Sequence, residues 1–177
     1  MFKTNYNLKF KIISTLIIMI LGVVFHFVYE WSDNNIFVGL FSAVNESIWE
    51  HLKLIYFPML LITLIGYFFL RKSKPNYLCS KVVGILTAMI FTVVFFYTYS
   101  GIIGNHFSVI DISIFFMAVT LGQYVSYKVM KLNFSCNEKI AKISLIIIFL
   151  LLLIFTFFPP HIALFQDPVN GSFGIPE

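Results

Sequence analysis

The sequence predicts an all-α integral membrane protein, a bundle of five transmembrane helices, on three observations. Five apolar stretches come close to the roughly 20 residues that a helix needs to cross a bilayer core. Charged residues make up 11% of the chain and hydrophobic ones 59%, against about 25% and about 45–50% in soluble domains. Eleven of the twelve lysines and arginines fall in segments that a five-span arrangement places on one side.

The first span is residues 12–31, preceded by Lys3, Lys9 and Lys11. A basic start and an apolar run also describe a signal peptide, but Phe25-His26-Phe27 stands where cleavage needs small residues, so the segment reads as an uncleaved helix. Asn34 to Glu46 follows, with the apolar centre Ile36 to Phe41. This is too short to cross, and it reads as an interfacial or re-entrant segment. Ser47 and Glu50 have the spacing of a capping box, which starts the second helix at 47 and carries it to 70, through Pro58. The third and fourth spans are 82–100 and 107–127. The fifth, 143–158, ends at Pro159-Pro160, because proline cannot donate a backbone hydrogen bond and disfavours helix in the residue before it. Residues 159–177 hold four of the six prolines and read as an irregular outer tail, folded over the bundle or disordered. With no long stretch between spans, residues 1–177 form one domain.

Cytoplasmic loops carry the excess of Lys and Arg. Lys3, Lys9 and Lys11, then Arg71, Lys72, Lys74 and Lys81, then Lys128, Lys131, Lys139 and Lys142 lie on one side, leaving Lys53 alone on the other. The N-terminus is therefore expected in the cytoplasm and the C-terminus outside, and the Ile-, Phe-, Lys- and Asn-rich composition suggests a bacterial cytoplasmic membrane. These lysines are spread among short loops beside apolar spans and form no stripe, so nucleic acid is not an expected partner. Cys79 and Cys136 fall on the same inner side, where two free thiols are expected.

The other polar residues concentrate at the outer end: Glu30, Asp33, Glu46, Glu50, Asp111, Asp167 and Glu177, with His26, His51, His106 and His161. Ionisable groups at membrane depth are costly and face a bundle interior or a cavity. His26 and Glu30 are four apart and share a helix face. Asp111, one turn into the fourth helix, matches the depth of His26. Imidazole and carboxylate converging near a bilayer surface suit zinc or a similar divalent metal, with His26, His51 and His161 as candidate ligands and Glu30, Glu50 or Asp111 as candidate general base. Asn45, Glu46 and Asp167 are further pocket candidates.

Bland readings stand beside these. Glu50 can cap a helix and pair with Lys53, Glu46 can answer a helix dipole, His106 can be a solvated loop residue, and His26 and Asp111 can bind each other as interhelical glue. Trp31, Trp49, Tyr29, Tyr56, Tyr97 and Tyr99 read as an aromatic belt.

His26-Phe27-Val28-Tyr29-Glu30-Trp31-Ser32, the segment Asn45 to Lys53, Tyr97-Thr98-Tyr99-Ser100-Gly101 with Asp111, and Pro159-Pro160-His161 running to Asp167 together resemble a family of small bacterial polytopic membrane proteins of unknown function, DUF6512. The resemblance spans almost the whole chain and implies a polytopic membrane protein without supplying an activity. Three readings follow from the residues: a metal-dependent membrane hydrolase acting on a lipid or lipid-linked substrate, a small transporter or ion-binding protein, and a non-catalytic subunit or scaffold. A transport pathway needs polar groups deeper in the bundle, where Gln123 is the main candidate, so a one-sided site is the expectation.

Overall fold

The structure, a computed structural model, describes residues 8–132 and 136–175; Lys3, Glu177 and the side chain of Lys9, all counted in the charge pattern, lie outside the described residues. Helices α1 (Leu8–Trp31), α2 (Ile36–Gly39), α3 (Ile48–Leu70), α4 (Tyr77–Ile103), α5 (Ser108–Met130) and α6 (Glu138–Phe157) are followed by a 3-10 turn, Ala163–Phe165. All but the four-residue α2 are long and apolar enough to cross a membrane. The chain is a multi-pass membrane protein with five spanning helices. Its outward side chains agree: Phe68 is 76% exposed, Ile20 63% and Ile147 51%, a surface that lipid solvates and water does not.

Helix starts lie further out than hydropathy alone places them. α4 begins at Tyr77 and α6 at Glu138, five residues before the expected 82 and 143. Apolar runs mark only the hydrocarbon-depth part of a span, whereas the backbone keeps its helical hydrogen bonds through the polar boundary. Asn137 supplies the α6 cap, its side-chain oxygen accepting from Lys139 and Ile140 N–H. α3 runs unbroken through Pro58.

α3 is the central helix, with 61% of its most apolar stretch buried against 22% for α1 and for α6. Tyr56 on α3 donates to the Leu145 carbonyl of α6 at 2.6 Å. α4 and α5 approach closely at Gly84 and Gly122, where a Cβ on either residue would lie 2.6 Å or less from the other's carbonyl oxygen. Small residues let membrane helices pack backbone to backbone.

One expectation is corrected. Cys79 and Cys136 are joined in a disulfide, with Cα atoms 5.9 Å apart. The first turn of α4 and the approach to α6 lie side by side at the Lys-rich end, a neighbourhood that the 57-residue separation conceals. Compartment was the sole basis for expecting free thiols, and it carries no information on proximity.

Candidate metal centre

The site is built where α1, α3 and α5 meet at a glycine. A Cβ on Gly22 would lie 2.4 Å from Phe115 Cζ of α5 and 2.8 Å from the Leu54 carbonyl oxygen of α3, so the absent side chain is what allows the three helices to converge. One turn toward the polar end from that contact stand His26 on α1, His51 on α3 and Asp111 on α5. This is the common depth that the sequence assigns to His26 and Asp111.

Glu46 reaches the same point from the loop between α2 and α3. Asp33 and Asn34, at φ 53° and 58°, reverse the chain after α1, since Asp and Asn tolerate the left-handed region better than most residues. Asn35 then caps α2, accepting from Phe37 N–H at 2.9 Å. The returning loop is held from below by a buried ion pair, Lys53 Nζ to Glu50 Oε2 at 2.6 Å, with side chains 0% and 2% exposed. Lys53 also donates to the Gly39 and Ser42 carbonyls, while Glu50 accepts from Val44 N–H and from the Thr156 hydroxyl of α6. From above, the tail holds the loop: Glu46 N–H donates to Asp167 Oδ2 at 3.2 Å and Asn45 Nδ2 donates to the Gly174 carbonyl at 2.7 Å. The tail is thus folded over the bundle end, and Trp49 packs against Phe155 of α6 and Phe165 of the tail.

The result is a compact ligand set. His26 Nε2 and His51 Nε2 are 3.3 Å apart, and Glu46 Oε2 lies 3.6 Å from the first and 3.4 Å from the second. Ligand atoms at about 2.05 Å from a tetrahedral ion stand about 3.3 Å from one another, so the three atoms match three corners of a zinc site. The His51 tautomer fits as well. Its Nδ1 is 2.8 Å from the Ser47 carbonyl oxygen, which can only accept, so Nδ1 carries a proton and Nε2 is the nitrogen turned into the site, as in metal-bound histidines generally. His26, His51 and Glu46 side chains remain 32%, 26% and 45% exposed, which leaves room for further ligands. The Glu46 carboxyl is held below its ordinary 4.5, first by its hydrogen bond with His26 and then by positive charge on His51, His26 and His106, against the opposing effect of burial.

A second group borders the first. Tyr99 donates to Asp111, whose other oxygen is 3.3 Å from His106 Nδ1, and Phe107 N–H donates to the Tyr99 hydroxyl. His106 acts electrostatically on Glu46, and Glu30, exposed at the end of α1, acts on His26.

The candidates therefore separate. His26 and His51 converge, joined by Glu46 in place of His161, which is exposed in the tail against the Phe173 ring at 4.7 Å. Asn45 and Asp167 hold backbone around Glu46. Glu50 has both oxygens engaged in the buried network and is structural. Half of the expected capping box forms: Ser47 Oγ accepts from Glu50 N–H, while Ser47 N–H donates to Asn45 Oδ1 rather than to Glu50. Asp111 binds Tyr99 and His106, where glue to His26 was the bland reading. Tyr99 and His106 are the residues that sequence reasoning assigned elsewhere, to the aromatic belt and to solvent. Their nearness in sequence to Asp111, at the same end of the bundle, was the available signal.

No curated protein and no solved structure matches the chain. A family model does, over residues 1–175, and its description is a family of unknown function. The chain belongs to that family, DUF6512.

Proposed function

We propose that the chain binds a divalent transition metal, zinc by preference, through His26, His51 and Glu46, and hydrolyses a lipid or lipid-linked substrate at the membrane boundary. The observation that carries this reading is the set of three ligand atoms, each from a different element, at the mutual spacing of a tetrahedral zinc site. Structural zinc sites have four protein ligands and are closed, whereas three ligands with partial exposure are the pattern of catalytic sites. A bound divalent ion supplies Lewis acidity there.

The remaining work falls to the chain's own groups. Glu46, His26 and His51 bind, and the Ser47 carbonyl and Asp167 orient them. Asp111, which has no lysine or arginine partner among the described residues, is the carboxylate that accepts and returns a proton, with Glu30, exposed at the end of α1, as the alternative. Asp111 does so beside His106, whose Nδ1 faces it. The distribution of Lys and Arg favours an N-terminus in the cytoplasm, and with it a site at the outer face of the membrane.

The test is metal content and affinity of the purified full chain. Zinc is expected near one equivalent, and H26A, H51A and E46Q are each expected to lose affinity by about a hundredfold, one ligand's share of a zinc site. Protein that takes up no zinc, or variants that bind it like the parent, would overturn the site. Zinc binding without release of headgroup or acyl chain from mixed-phospholipid vesicles would overturn hydrolysis and leave a metal-binding protein.

A further inference from the structure

The opposite end of the bundle carries an arrangement that the metal centre does not use. Lys11 Nζ of α1 stands 4.3 Å from the centre of the Tyr127 ring and 5.2 Å from that of Tyr124, both on α5. Lys131 Nζ is 4.2 Å from the same Tyr127 ring and Lys128 Nζ is 5.4 Å from Tyr124. Three ammonium groups, from α1, α5 and the residue that ends α5, thus gather on two tyrosine rings, and buried Lys81 of α4 interacts electrostatically with Lys11. Glu138 is the single acidic residue of the loops and helix ends on this side, and it is taken by Tyr67 and Lys142. Positive charge at this density calls for an anion.

The apolar surface beside the cluster indicates what kind. A groove of about 500 Å³ runs along α5 against α4, lined by Phe91, Phe116, Met117, Thr120, Leu121 and Tyr124. Phe116, Thr120 and Tyr124 are successive turns of one face, so the groove extends about 12 Å from Tyr124 toward mid-membrane. Tyr124 belongs to both features: its ring lines the groove and carries Lys11 and Lys128. A free phosphate would satisfy the lysines and leave the groove unexplained, whereas a phospholipid has an anionic head and an acyl chain joined at the right place.

We propose that Lys11, Lys128 and Lys131, with the groove from Tyr124 to Phe116, form a binding site for one anionic phospholipid, its phosphate on the lysines and an acyl chain along α5. Basic pockets between spanning helices have this chemistry, and each lysine near a lipid headgroup adds a comparable increment of affinity. The site is separate from the metal centre and does not rest on it.

The experiment uses the delipidated full chain in neutral detergent, titrated with phosphatidylglycerol, phosphatidylcholine or inorganic phosphate and read by native mass spectrometry and melting temperature. Phosphatidylglycerol is expected to bind about a hundredfold more tightly than phosphatidylcholine, the combined effect of three lysines. K11Q/K128Q/K131Q should erase that preference, K11R/K128R/K131R should keep it, and K72Q/K74Q/K139Q, with the same change of charge outside the cluster, should keep it too. T120W, which fills the groove, should weaken phosphatidylglycerol binding. Equal affinity for the two lipids, equal stabilisation by inorganic phosphate, loss of preference in the arginine variant, or equal loss in the distant triple variant would each overturn the proposal.

Discussion

Replacing Gly22 by alanine tests the idea that a three-helix contact sets the metal site. The new Cβ would meet Phe115 Cζ at 2.4 Å and the Leu54 carbonyl oxygen at 2.8 Å. The Phe115 ring can rotate away; the backbone oxygen cannot. Restoring ordinary contact of 3.4 Å at that oxygen moves α1 back by roughly 0.6 Å, and His26, one turn further along the same helix, moves with it. Overpacking costs about 1–3 kcal/mol, but alanine recovers about 1 kcal/mol of helix propensity over glycine. Net destabilisation is therefore about 0–2 kcal/mol, and melting temperature alone is a poor reporter. Zinc affinity is the better one, because metal–ligand distances tolerate only about 0.2 Å and misplaced ligand shells cost about 10–100-fold in affinity. G22A should bind zinc that much more weakly in competition with a chelating dye. F115A added to G22A should restore little of the affinity, since the Leu54 contact persists. Parental zinc affinity in G22A would refute the reasoning.

Two further outcomes follow from the same network. Since the Glu46 carboxyl is held below its ordinary 4.5, its contribution to stability is complete above the unfolded value and is lost as pH falls through the lower folded one; the difference in melting temperature between the parent and E46Q should accordingly shrink as pH is taken from about 6 to about 3, and a difference that grows on acidification would contradict the assigned direction. K53M strands the Glu50 carboxylate in a site where it is 2% exposed, so unfolding should cost about 3–5 kcal/mol less, and K53M/E50Q should recover part of that loss; a K53M protein within about 1 kcal/mol of the parent would show that the pair is not desolvated.

Much of the fold was legible because bilayer solvation writes itself into composition. Spans, their number and the polar end follow from apolar runs and from the placement of Lys, Arg and the acidic residues. The errors lie where hydropathy ceases to report on backbone, as at Tyr77 and Glu138, where helices continue through polar sequence. The disulfide shows a different limit: Cys79 and Cys136 become neighbours only through helix packing, which charge patterning does not encode. In the site, helical spacing paired His26 with Glu30 and Glu46 with Glu50, and depth added Asp111. Glu46 was a pocket candidate rather than a ligand, because it arrives on a loop and owes its position to Asp167, 121 residues away.

Glu46 and Glu50 are four residues apart in one segment; charge balance separates them. Glu50 faces an ammonium at 2.6 Å with both partners buried, so the pair is neutral as a unit, and both carboxylate oxygens have donors. No electrostatic demand is left for a ligand to meet. Glu46 faces two imidazoles, His26 and His51, and, among the described residues, no lysine or arginine. One of those imidazoles, His51, turns its Nε2 inward because its other nitrogen is tied to the Ser47 carbonyl. A carboxylate and an imidazole nitrogen aimed at one point make a site rich in electron density, and two ways of completing it are open: a proton shared with His26, or a cation. Acid favours the first. Near neutral pH the proposed divalent ion would be the stronger, since it would satisfy all three ligand atoms at once while a proton bridges only two.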